Sequence, residues 1–152
     1  EEAVRACEAQ RHRMLHFATV MQGYLLAQVL ASGWDQFEKQ LSGPSRPADL
    51  SQIREMHDKY ISTVADRALL STRTASVLEI VRDSLKDIID FGSHVAALAA
   101  QAPSHRYATL NKIKAAQESF EHHSSFLKKV VTLMLQKGGA RQAHLAELLV
   151  SL

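Results

Sequence analysis

His12 and His16 stand four residues apart, a spacing at which two imidazoles on one helix face can hold a zinc ion; His122 and His123 add two more rings further along. Neither pair has a third ligand near it in sequence. Consecutive histidines on a helix point about 100° apart, so both pairs read as structural or surface residues before they read as a metal site. His57 falls on an apolar stripe between Ile53 and Tyr60. That register predicts a core imidazole hydrogen-bonded to a neighbouring helix rather than a proton-transfer group. Cys7 is the single cysteine. With no disulfide partner in the chain it favours a reducing, intracellular compartment, and its cationic setting of Arg5 and Arg11 is too thin to make it a nucleophile. There is no glycine-rich phosphate loop, no paired-cysteine motif and no His-Glu-x-x-His. No catalytic motif is recognisable, and no cofactor or metal is expected.

Binding residues are easier to nominate. Trp34 and Phe37 can anchor a partner, but their periodicity predicts core packing. The net charge is only +2, unevenly spread. Residues 1–41 carry four Lys/Arg against five Asp/Glu, residues 42–102 seven against eight, and residues 103–152 seven against three. Only the last third is basic. Lys112, Lys114, Lys128, Lys129, Lys137 and Arg141, with His105, His122 and His123 nearby, suit an acidic partner, although a solvated helix face is the plainer reading. Nucleic acid is not an expected partner, because phosphate tracking wants a denser basic stripe with more aromatics than Tyr107, Phe120 and Phe126.

The first element that must position these groups runs over about residues 2–41. From Met14 to Trp34 it has 21 consecutive residues without Asp, Glu, Lys or Arg. Met14, Phe17, Met21, Tyr24 and Ala31 fall on one face, and Leu15, Ala18, Leu25, Leu26, Val29 and Leu30 on others, which predicts a helix buried nearly all round. Such a rod is either the central helix of a bundle or a membrane span flanked by Arg11, His12 and Arg13. His16, Thr19, Gln22, Gln28 and Ser32 speak against the span, because several of them would face lipid unpaired.

Proline at positions 44, 47 and 103 marks the loops. Asp49 caps a second helix over about 49–69, with Leu50, Ile53, His57, Tyr60 and Val64 as its inward stripe. Ser71 to Thr74 offer hydroxyl caps to a third helix over 73–99, striped by Leu78, Val81, Leu85, Ile88, Gly92 and Val95. Arg82, Asp83, Lys86, Asp87 and Asp90 lie on its opposite face, at offsets that allow solvent-side ion pairs. A fourth helix over 105–137 carries Leu110, Ile113, Gln117, Phe120, Ser124, Leu127, Val131 and Met134, with Gln117 and Ser124 in need of partners. Gly138 and Gly139 stop it, and a fifth helix over 141–151 turns Leu145, Leu148, Leu149 and Leu152 inward. No credible strand remains. The expected fold is all-α, a multi-helix bundle with a long, nearly fully buried first helix, folding as one domain over 1–152. The start at Glu1 without a cap, and the stop amid accumulating apolar residues, read as a piece of a larger chain.

Arg11-His12-Arg13-Met14-Leu15-His16-Phe17, followed by Tyr24, Val29, Trp34, Phe37 and Leu41, resembles the C-terminal domain of gamma-tubulin complex components. The similarity continues through Asp49-Leu50, His57, Tyr60, Leu69-Leu70, Ile88 to Phe91, Phe126-Leu127 and the terminal leucine-rich helix, nearly the whole chain. Gln22-Gly23-Tyr24, Gln28 and the run from Phe126 to Val131 look most like the sixth component. The resemblance implies a non-catalytic helical module, without cofactor, that binds gamma-tubulin beside other complex components in a ring templating microtubule nucleation. It implies a cytoplasmic, cytoskeletal setting at centrosomes and spindle poles, the microtubule-organising centres. Phe17, Tyr24, Trp34, His57 and Tyr60 are then structural core. Charge distribution nominates Arg11, Arg13, Lys128, Lys129 and Arg141 for an acidic, tubulin-like surface. Two other classes stay open from the residues alone: a membrane-anchored helical protein with 14–34 inserted, and a metal-dependent bundle enzyme using His12, His16 and His57.

Overall fold

Met14, Phe17, Met21 and Tyr24, at steps of three and four, are buried along one side of helix α1 (Glu2–Tyr24), with Gln10 extending the stripe by one turn. The computed structural model describes residues 2–44, 47–100, 106–138 and 144–152. Beyond Tyr24 the rod does not continue as an α-helix. Leu25–Ala31 form a π-helix, and an α-helix resumes as α2 (Ser32–Ser42). Bonding to the fifth residue instead of the fourth widens each turn and shifts the phase of everything downstream. The buried positions of α2 are therefore Gly33 and Phe37, while Ala31 and Trp34 rotate outward.

After Gly43 and Pro44, Asp49 accepts the Gln52 backbone N–H at 2.8 Å and starts α3 (Leu50–Arg67). Its end is a Schellman motif: the Leu70 N–H reaches Ala65 O at 2.9 Å and the Leu69 N–H reaches Asp66 O at 3.2 Å. The left-handed position of that motif, which favours glycine, is held by Leu69 at φ 63°, and its side chain is buried. A short 3₁₀ turn (Thr72–Thr74), closed by a 3.1 Å bond from Thr74 Oγ1 to Ser71 O, leads into α4 (Ala75–Ala100). α5 (Arg106–Gly138) returns alongside α4 as the most extensive pairing in the molecule, and α6 (His144–Ser151) packs on α5 and α1.

The core sits between these elements. Val77, Ile80, Val81 and Phe91 of α4 meet Ile113, Ala116, Phe120, Leu127 and Val131 of α5, with Leu145 and Leu148 of α6 closing one end. α1 lies across this hairpin. The Phe17 ring meets the edge of Phe120 at 5.5 Å and 85°, a geometry that aromatic quadrupoles favour.

Among the described residues the chain is helical throughout, without a strand. Burial of the first helix on all sides is not observed. Leu15 is 57% and Leu26 54% exposed, and His12, His16, Thr19 and Gln22 face outward. Absence of charge is not a burial signal when uncharged polar and small residues make up the remaining faces; the α4–α5 hairpin and α6 wall in one side only. No described helix is long and apolar enough to cross a membrane. The stripe expected on α3 is only partly covered: none of its residues is fully buried, Leu50 is 80% exposed and Ile53 and His57 are at the surface, while Tyr60 and Val64 are half-buried. Its apolar side meets chiefly α2 and the π-helix, and Val64 near its end reaches the core. On α4 the buried positions are Val77, Ile80, Val81, Ser84, Asp87 and Phe91; of the expected stripe Val81 is buried, Leu78, Ile88 and Val95 are half-buried against the core, and Leu85 and Gly92 are exposed. On α5, Thr109 rather than Leu110 is buried; Gln117 is half-buried, and Ser124 donates to Glu121 O at 3.3 Å.

Candidate functional surface

The nominated cations do not form one patch. Arg11 folds back on Glu8 of its own helix, at 3.0 Å through Nε and 2.7 Å through Nη2. Arg13 crosses to α5 and meets Glu121 at 3.3 Å. Lys128 is seven residues beyond Glu121, two turns along the same flank of α5 that Arg13 reaches. Lys129 lies about 100° further round α5, on its outer face. Arg141 lies outside the described residues.

The residues expected in the core divide. Phe17 and Tyr24 are buried. Tyr24 also donates its hydroxyl to Arg67 O at 2.7 Å, and burial raises its phenol well above the usual range. Trp34 lies at the surface, 53% exposed, because the π-helix turns it away from the α1 stripe. It belongs to an aromatic cluster joining α2 to α3: Trp34 to Phe37 at 5.9 Å, Trp34 to Tyr60 at 6.2 Å, and Phe37 stacked on Tyr60 at 4.9 Å. His57, exposed rather than in the core, sits at the rim of that cluster, 6.1 Å from Phe37 and beside Asp58 at 3.9 Å. Tyr60 is half-buried.

Across α4 and α5, His123 Nδ1 and Asp87 Oδ2 are 2.7 Å apart. Asp87 is buried, not on the solvent face expected from its spacing, because α5 covers that edge of α4. No local signal marks this pair, since the residues are 36 apart in sequence. His122 stacks on Phe126 at 6.4 Å and 12°. His16 Nε2 lies 3.0 Å from Ser151 O and pins α6 to α1, at the edge of a groove of about 350 Å³ lined by Val20, Gly23, Tyr24 and Leu148.

None of this assembles a reaction centre among the described residues. Among the described residues no group of three His, Cys, Asp or Glu is placed to hold a metal. Burial, reinforced by Glu8, pushes the Cys7 thiol up, and Arg11 offsets this only in part, so the thiol is the reverse of an activated nucleophile. The described surface offers exposed apolar groups and separated cations.

The family model for the gamma-tubulin complex component C-terminal domain matches residues 1–152, the whole chain. The chain belongs to this family. It is 27% identical over 150 residues to human gamma-tubulin complex component 6, a match covering 96% of the chain and 8% of that protein. Component 5 of Macaca fascicularis is 25% identical over 142 residues, covering 93% of the chain and 18% of that protein. The spindle pole body component alp6 of Schizosaccharomyces pombe is 30% identical over 82 residues, 51% of the chain and 10% of that protein. The chain thus spans under a fifth of the length of each of these relatives. Family membership rests on the whole-length match and does not depend on how deeply the first helix is buried.

Proposed function

We propose that this chain is a non-catalytic helical module that binds gamma-tubulin, beside other components, within a gamma-tubulin complex templating microtubule nucleation at cytoplasmic microtubule-organising centres. The observation that carries this reading is the match of the C-terminal family model to all 152 residues. The α4–α5 hairpin with α1 and α6 supports it as a rigid bracket: a packed seam presents side chains at fixed positions without a mobile site. Geometry would then be the mechanism. Neighbouring modules that hold gamma-tubulins at fixed spacing remove translational and rotational entropy from assembly of the first ring, as orientation does for a reaction.

The contact is assigned to the flank of α5 that Arg13 reaches and that carries Lys128, with Lys129 and Arg11 as outlying cations and Arg141 as a fifth. Co-purification tests the reading. Purified gamma-tubulin is expected to be retained by the tagged 152-residue chain at low ionic strength, and absence of retention by a folded chain contradicts it.

A further inference from the structure

The outer face of α5 carries an apolar and basic pattern that the fold leaves unused. His122, Phe126, Lys129, Leu133 and Lys137 follow at steps of four, three, four and four, which keeps them on one outward stripe. Phe126 is 47% and Leu133 53% exposed, seven residues and about 10 Å apart along the helix. Large apolar side chains held that far into water, in register and with His122 stacked on one of them, cost hydration free energy that a partner would recover.

Charge indicates the partner. Lys128, Lys129 and Lys137 form no ion pair among the described residues, whereas Lys114 on the same helix is 3.7 Å from Glu118. No acidic residue occurs between Glu121 and Glu147. Counting along the antiparallel pair from the Asp87–His123 contact brings Asp83 and Glu79 of α4 alongside Leu127 to Val131. Carboxylates of a partner are therefore favoured along α5, where Lys128, Lys129 and Lys137 have no acidic neighbour on their own helix.

We propose that this face of α5 docks an acidic amphipathic helix of a partner protein. Its apolar residues rest on Phe126 and Leu133, as anchors one heptad apart do in helix recognition, and carboxylates along one edge meet Lys129 and Lys137. The docking goes beyond the gamma-tubulin reading and does not rest on it; Lys129 is common to the two, whereas Phe126, Leu133 and Lys137 belong to this face alone.

The test uses two designed 20-residue helical peptides with the same leucine face and either glutamates or lysines along one edge, titrated with the 152-residue chain by fluorescence anisotropy. The glutamate peptide is expected to bind at least about tenfold more tightly than the lysine peptide, and to lose about tenfold with Phe126→Ala plus Leu133→Ala, in the range of lost interface anchors. Lys129→Glu plus Lys137→Glu reverses the preference between peptides. All four side chains are outside the core, and an unchanged circular dichroism melt confirms folding of each variant. Equal binding of both peptides, no binding of either, or variants that bind the glutamate peptide as the parent does overturns the proposal.

Discussion

The hydroxyl of Tyr24 donates to the backbone carbonyl of Arg67 at 2.7 Å, fastening the last residue of α1 to the last residue of α3. Between these two points the chain passes through the π-helix and the whole α2–α3 hairpin, whose second helix buries nothing of its own. This hydrogen bond, with Val64 and Ala68 packed against the core beside it, joins the solid part of the bundle to its loosest part.

Replacing Tyr24 by Phe keeps the ring in the core and removes the bond. A loss of about 1 kcal/mol is expected, the usual net worth of a buried hydrogen bond. Chemical denaturation measures it. The phenol is raised by burial, so its contribution is complete below the unfolded value of about 10 and is lost as pH climbs from there through the raised value. Parent stability should therefore fall above pH 10 more steeply than that of Tyr24→Phe.

Leu69 poses two effects against each other. Its left-handed backbone at φ 63° costs on the order of 1 kcal/mol in a non-glycine residue, whereas emptying a buried leucine site costs about 2–5 kcal/mol. The cavity term is larger. Leu69→Gly should lower the melting temperature although it relieves the backbone, and a stabilised variant would show that the side chain contributes less than its burial indicates.

His123→Ala leaves the buried Asp87 carboxylate without the imidazole 2.7 Å away. An expected loss of about 1–3 kcal/mol follows from stranding a buried acceptor. Asp87→Ala in the same background should recover part of it, because the group left unsatisfied is then absent. A double-mutant cycle by urea denaturation measures both.

Gln10 is buried on the α1 stripe, and its Nε2 has no hydrogen-bond partner among the described residues. Gln10→Leu should stabilise the chain by about 1 kcal/mol, the low end of the cost of an unsatisfied buried amide. A lower melting temperature would mean that the amide is satisfied after all.

The helices are legible because apolar residues recur at steps of three and four, as Met14, Phe17, Met21 and Tyr24 do on α1, and Asp49, Pro44 and Pro103 punctuate them. Trp34 and His57 were misplaced for one shared reason. A uniform 3.6-residue period cannot anticipate seven π-helical residues, and once the phase shifts, α2 and α3 pair with each other outside the main core. Leu15 and Leu26 were assigned to the interior because an uncharged run was equated with burial. The Asp87–His123 pair joins different helices and has no signature in either. Charge alone nominates Arg13 and Lys128, whereas the Arg13–Glu121 contact, which no local pattern announces, sets Arg13 against the flank of α5 that carries Lys128.

The central claim is that folded, non-catalytic geometry holds gamma-tubulin through this flank. Its most direct test is a binding titration of purified gamma-tubulin with the parent chain and with a variant carrying Glu at positions 11, 13, 128, 129 and 141, both verified as helical and cooperatively melting. Charge reversal is expected to weaken binding by at least about tenfold, and parent binding to decline with salt. Equal affinity of the two proteins for gamma-tubulin would contradict it.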